Sequence, residues 1–109
     1  MIEDNIDSNE IQKITSTLVA EFQPLKVFLF GSRAQKTNTS DSDYDILLIV
    51  ENSDLSPLKR MQKAGRSLWN CRAKVDVFVY TQSEFDELKN EFSSIPYTVS
   101  HEGLELKVG

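Results

Sequence analysis

The sequence has 109 residues, of which 39% are apolar and 27% charged, and its formal net charge is −5. That length suits one domain with a modest core. The composition excludes a disordered chain, and no apolar run approaches the roughly 20 residues that span a bilayer. The acidic balance argues against stable nucleic-acid binding. The polar, acidic start MIEDNIDSNE lacks the pattern of a signal peptide. A single cysteine, Cys71, excludes an internal disulfide and suits a reducing compartment. The expectation is therefore one cytoplasmic domain over residues 1–109, with residues 1–7 a loose tail and no association with a membrane.

Ser8 is a suitable N-cap for a helix that runs to about Phe22, with Ile11, Ile14, Leu18 and Phe22 on one stripe and Pro24 as its stop. Val27–Phe30 is a short run of strand formers closed by Gly31. The polar segment GSRAQKTNTSDS follows, and Arg33-Ala34-Gln35 within it can form a short helix. Asp43–Val50, DYDILLIV, has the pattern of a strand that starts polar and ends buried. Ser56-Pro57 opens a second long helix through Asn70, whose apolar residues Leu58, Met61, Gly65, Leu68 and Trp69 share one face. That face is predicted to be core. Val75–Tyr80 is a third strand. Ser83 is predicted to cap another helix with Phe85, Leu88 and Phe92 buried, a short helix runs from about Ile95 to Gly103, and Leu104–Val108 can form an edge strand. Strands alternating with helices give an α/β (α+β) class, with a mixed sheet and helices packed against it.

Chemistry concentrates in three places. Asp43 and Asp45 are two residues apart, so on a strand both carboxylates project from one face. Adjacent like charges repel, and a divalent cation offsets this; oxygen donors of this kind suit Mg²⁺ or Mn²⁺. Gly31-Ser32 follow a strand and open the next segment, where a glycine admits close backbone approach and a serine hydroxyl adds a donor for phosphate. Asp76 stands in an otherwise apolar strand, where a carboxylate is costly unless paired, exposed or metal-bound. Three carboxylates beside a phosphate cradle fit two-metal phosphoryl chemistry.

Gly31-Ser32, ten intervening residues and Asp43-Tyr44-Asp45, followed by VDVFVY with Asp76, resemble the signature of the DNA polymerase β-like nucleotidyltransferases. The short chain, with GSRA and SDSDYD, looks most like the minimal nucleotidyltransferase (MNT) branch. It departs from that branch after GSRA, where Gln35 and Lys36 replace the usual basic residue and glycine. The resemblance implies a polymerase β-like core and transfer of a nucleoside monophosphate from a triphosphate, ATP in the first instance. It implies two Mg²⁺ ions, or Mn²⁺, held by Asp43, Asp45 and Asp76, and nucleotide binding by Gly31 and Ser32. Asp76 would serve the ion that activates the acceptor. Arg33 would either join the nucleotide contacts or pair with Asp41 or Asp43 to position the loop.

MNT proteins commonly partner HEPN-domain toxins. The resemblance therefore implies an antitoxin that adenylylates a tyrosine of its toxin, the partner supplying the acceptor that so short a chain has little room for. A small-molecule acceptor and a non-catalytic module that neutralises a toxin by covering it are the alternatives.

Six basic residues and no acidic one lie between Leu55 and Val75, leaving six basic against 17 acidic residues elsewhere. Lys59, Arg60, Lys63 and Arg66 fall within about 120° of the helix circumference, at 100° per residue. They form either a solvated face or a surface for an acidic partner or nucleic acid. His101 near a helix end is expected to be structural, Trp69 and Met61 to be core, and Cys71 to have no catalytic role. Phe78, Tyr80 and Tyr97 suit core or interface packing, or stacking on a base.

Overall fold

A computed structural model describes residues 8–35, 37 and 43–107. The expected tail, Lys36, residues 38–42 (and with them the Arg33–Asp41 alternative) and the expected strand end at Val108 lie outside these residues. Nine elements follow in order: α1 Ser8–Phe22, β1 Lys26–Phe30, α2 Ser32–Gln35, β2 Tyr44–Val50, α3 Pro57–Ser67, β3 Val75–Thr81, α4 Gln82–Leu88, α5 Ile95–Glu102 and β4 Leu104–Leu106. The sheet order is β3-β2-β1-β4, with β1 antiparallel to both β2 and β4, and β2 parallel to β3. This is the mixed sheet expected from the alternating pattern.

β2 is apolar on both faces because both are covered, as a central strand requires. Tyr44, Ile46, Leu48 and Val50 join Val27, Leu29, Val77 and Val79 in one core, packed against Ile11, Ile14 and Leu18 of α1 and Ala64 of α3. Leu47 and Ile49 join Phe30, Phe85 and Val99 in a second core under α4 and α5. α1 ends where Gln23 takes a left-handed conformation (φ 50°) and its N–H bonds the Val19 carbonyl; Pro24 then prevents continuation.

α3 differs from expectation. Its start is as read, with the Ser56 side chain accepting from the Lys59 N–H and proline in the first turn. Of the expected core face Leu68 is buried as read, but it is joined at the sheet by Arg60 and Ala64, while Leu58, Met61 and Trp69 are exposed, Trp69 to 82%. The cause is a polar network. The Arg60 guanidinium, 4% exposed as a residue, pairs with both oxygens of Glu84 at 2.7 and 3.2 Å and donates to the carbonyls of Val79 (3.1 Å) and Leu55 (3.0 Å). A planar fork with four acceptors can be buried where an unpaired charge cannot. Arg60 therefore belongs to the interior and not to a solvated basic face.

α4 also begins earlier than expected. Thr81, not Ser83, is the N-cap, and its reciprocal bonds with Glu84 form a capping box. The helix stops at Leu88, so Phe92 leaves the buried stripe and stands exposed, its ring edge-on to Tyr97. Tyr97 in turn stacks on His101, and His101 Nδ1 lies 2.9 Å from the Tyr97 carbonyl oxygen at the end of α5. No helix among the described residues is long and apolar enough to cross a membrane.

Candidate active site

The strand register assembles the site. Asp45 of β2 is the partner of Asp76 in β3 and of Phe30 in β1. Residues paired across neighbouring strands share a face, so Phe30, Asp45 and Asp76 stand in a row at one end of the sheet. Asp45 projects away from the core that holds Tyr44 and Ile46, because side chains alternate along a strand. Leu47 and Phe78, two residues further along their strands, lie on the same face in the second core. The carboxylates thus stand above an apolar floor, where the Phe30 and Phe78 rings meet at 6.0 Å.

That floor has an electrostatic consequence. Burial, then the charge of Asp76, then that of Asp43, push the Asp45 carboxyl above its ordinary value. Asp43 lies one residue before β2 begins, half-buried, and not within the strand as expected. Asp76 is exposed, which relieves the cost of a carboxylate in an apolar strand. The ion pairs among the described residues lie elsewhere, at Arg60–Glu84, Lys63–Glu21 and Lys89–Asp86.

Gly31 follows β1 directly and sits against Asp45. Its φ is +78°, in the left-handed region that favours glycine. A Cβ built there would lie 3.1 Å from the Asp45 Cγ and closer still to Oδ2. Any side chain at 31 would therefore displace the carboxylate. Ser32 opens α2, a single turn closed by the Gln35 N–H on the Gly31 carbonyl and the Thr37 N–H on the Ser32 carbonyl.

Arg33 goes to the other side of the sheet. Its guanidinium lies 4.0 Å from the centroid of the Tyr44 ring, and the Tyr44 hydroxyl donates to Glu10 of α1 at 2.7 Å. Since Tyr44 and Asp45 alternate across the sheet, Arg33 is directed away from the carboxylates. Geometry thus brings Gly31, Ser32, Asp43, Asp45 and Asp76 to one sheet end and places Arg33 behind it.

A family model described as polymerase beta, nucleotidyltransferase, matches residues 12–95. The chain belongs to the polymerase β nucleotidyltransferase family. Among solved structures, this nucleotidyltransferase domain is similar to a candidate nucleotidyltransferase of Sulfolobus solfataricus. Identity is 24%, the match covers 89% of this chain and 76% of that one, and the TM-score is 0.62. It is also similar to a mutant of the MntA-HpeT toxin–antitoxin (21% identity, 95% and 74% covered, TM-score 0.58). A toxin–antitoxin solved with AMP-PNP matches at 21% identity, 95% and 75% covered, with a TM-score of 0.55. No curated protein matches the sequence. At these identities the structures establish the fold.

Nucleotidyltransferases of this fold generally use a divalent metal and a nucleoside triphosphate. The donors present fit in type: Asp43, Asp45 and Asp76 offer hard oxygens, and the burial and the neighbouring carboxylates that raise Asp45 both disfavour its bare charge, which a cation would offset. They are not yet at ligand spacing, because among the described residues no three His, Cys, Asp or Glu are close enough to hold an ion. Side-chain rotation at the sheet end would have to bring them together.

The sequence reading missed Arg60 and Glu84, which tie α3, β3 and α4 together. The signal available was Thr81-x-x-Glu84, a capping-box spacing.

Proposed function

We propose that this domain is a metal-dependent adenylyltransferase. It moves AMP from ATP onto a hydroxyl, the acceptor being a tyrosine of a HEPN-type toxin partner that the modification silences. The observation that carries the chemistry is the register that sets Asp45 beside Asp76 with Gly31 against the Asp45 carboxylate. The similarity to toxin–antitoxin structures, one of them with AMP-PNP, supports the partner and the nucleotide. The single half-buried Cys71 and the absence of a long apolar helix among the described residues agree with a cytoplasmic location.

In this reading Asp43, Asp45 and Asp76 hold Mg²⁺ or Mn²⁺, two ions in all, which when bound neutralise triphosphate charge and lower the pKa of the acceptor hydroxyl. Gly31 lets the backbone approach the triphosphate, and the Ser32 hydroxyl donates to it. The acceptor oxygen bonds the α-phosphorus, the bond to pyrophosphate breaks, and the hydroxyl proton passes to Asp76 or to water. The apolar floor of Phe30 and Phe78 keeps water from beneath the carboxylates. Arg33 holds the loop against Tyr44 and serves as a positioning residue.

The test is incubation of the protein with α-labelled ATP, Mg²⁺ and a candidate HEPN-type partner protein. Covalent label on a tyrosine of that protein is the expected result. Tight complex formation without label would replace this reading with a neutralising module, and label on a small molecule alone would move the acceptor.

A further inference from the structure

The outward face of α3 carries an apolar stripe that stands exposed among the described residues. Leu58 is 64% exposed, Met61 39%, and Trp69 stands free just past the helix end. Gly65 lies between Met61 and Trp69 on the same stripe, and a Cβ there would meet nothing within 4 Å. Mid-helix glycine destabilises a helix relative to alanine. Here neither backbone conformation nor packing among the described residues calls for it. A notch between two large apolar side chains suits a knob from outside. Lys59 and Arg66, both exposed, border the stripe on one side, and no acidic residue occurs between Leu55 and Val75.

We propose that this face of α3 docks an amphipathic helix of a partner protein, one whose apolar ridge is bordered by acidic residues. The stripe and notch supply the groove contact, and Lys59 and Arg66 select the charge. Three observations favour this occupant. Aliphatic residues at the centre of the stripe suit a protein ridge better than a phosphate backbone, which would call for cations there. The basic border calls for acidic neighbours. An 11-residue helix is about 16 Å long and one helix wide, which matches one docking helix and falls far short of the roughly 800 Å² per partner of a standard dimer interface. The surface stands independently of the chemistry proposed for the carboxylates.

The experiment is selection of a displayed library of 16-residue amphipathic helices, with every charge state at the flanking positions, against the folded protein and against a Leu58→Glu/Met61→Glu variant. Peptides that bind the first and not the second should carry acidic flanks. Because Trp69 is the only tryptophan, binding of a selected peptide should shift its emission to the blue. Lys59→Glu/Arg66→Glu should weaken that peptide at least tenfold and exchange the selected flanks for lysine. Gly65→Leu should keep or raise the melting temperature while also weakening binding tenfold. Flanks without charge preference, or no enriched peptide, would overturn the proposal. So would a single-stranded RNA oligonucleotide that quenches Trp69 more tightly than any peptide, or a concentration-dependent blue shift of the protein alone, which would assign the face to nucleic acid or to a second copy.

Discussion

β3 carries a charge cluster at each end, and the two are opposites. At its end, Arg60 and Glu84 meet with bidentate geometry, two further carbonyls complete the guanidinium, and the hydrogen bond from Arg60 is the main cause that pulls the Glu84 carboxyl below its ordinary value. At its start, Asp76 stands beside Asp45 and near Asp43, and Asp45 is pushed up. One cluster is satisfied within the chain and its charges stabilise the fold. The other is in conflict within the chain, a conflict that a proton or a bound cation would relieve. Perturbation in opposite directions separates a structural ion pair from a functional site more clearly than the mere presence of charge.

Removing a charge at each end should therefore have different consequences. The largest effect belongs to Asp45→Asn, which should reduce nucleotidyl transfer about a thousand-fold or more, several kcal/mol of transition-state stabilisation, with the fold intact by circular dichroism. Asp76→Asn should also lose most of the rate but bind Mg²⁺-ATP nearly normally in calorimetric titration, since in the proposed reading Asp43 and Asp45 would still hold the metal that arrives with the nucleotide. Near-native transfer by either variant would remove that residue from the site.

Arg60→Met should act on stability instead. It strands the Val79 and Leu55 carbonyls and leaves Glu84 without its fork. Glu84 is about one-third exposed and can be rehydrated, so the cost should be about 2–3 kcal/mol in urea unfolding, below that of a fully buried pair. Transfer by the folded fraction should be unchanged. A rate loss without a stability loss would join Arg60 to the active site.

pH sharpens the contrast further, because the two carboxylates contribute with opposite sign. The folded pKa of Asp45 is raised, so between its ordinary value and the raised one the folded chain holds a proton that the unfolded chain has released. Its penalty is fully present above the raised value and vanishes as pH falls below about 3.8. The folded pKa of Glu84 is lowered, so its stabilisation is present above about 4.5 and is lost as pH falls through the lowered value. In urea titrations without divalent metal, Asp45→Asn should be more stable than the parent at pH 7, the gap closing in acid. Glu84→Gln should be less stable at pH 7, its gap also closing in acid. The same sign for both variants would contradict the comparison.

The two ends of β3 also differed in how far the sequence revealed them. Asp43, Asp45, Gly31 and Ser32 lie within 15 consecutive residues, and the period of a strand places Asp45 opposite Tyr44 without knowledge of the rest. Asp76 needed only the inference that β2 and β3 are neighbours. The Arg60–Glu84 pair joins residues 24 apart through side-chain geometry, which no local pattern encodes. On α3 the apolar pattern put Leu58, Met61, Gly65, Leu68 and Trp69 on one core face, and of these Leu68 alone is buried. A guanidinium with four acceptors turned Arg60 and Ala64 inward beside it. Phe92 was misplaced because the i, i+7 stripe assumed a helix that stops at Leu88.

Arg33 is the residue that the comparison leaves between the two classes. It neighbours Ser32 in the chain, yet its guanidinium stacks on Tyr44 behind the site, in a chain of contacts that continues through the Tyr44 hydroxyl to Glu10. If it acts there only, Arg33→Met keeps much of the packing and loses the cation–π attraction and hydrogen-bonding reach. The loss should be about 1 kcal/mol of stability. The KM for ATP should stay within about two-fold, since no phosphate contact has been removed. Ser32→Ala is the control, because in the proposed reading its hydroxyl donates to the triphosphate, and one hydrogen bond to a charged group is worth about 1–2 kcal/mol of binding. Steady-state kinetics of the two variants, each paired with a urea titration, decides the matter. Arg33→Met with unchanged stability and a KM raised as far as that of Ser32→Ala would mean that the arginine turns over to the nucleotide when the site is filled. The expected pattern, stability lost and KM kept, leaves Gly31 and Ser32 as the nucleotide contacts of this loop and makes Arg33 the residue that holds them in place.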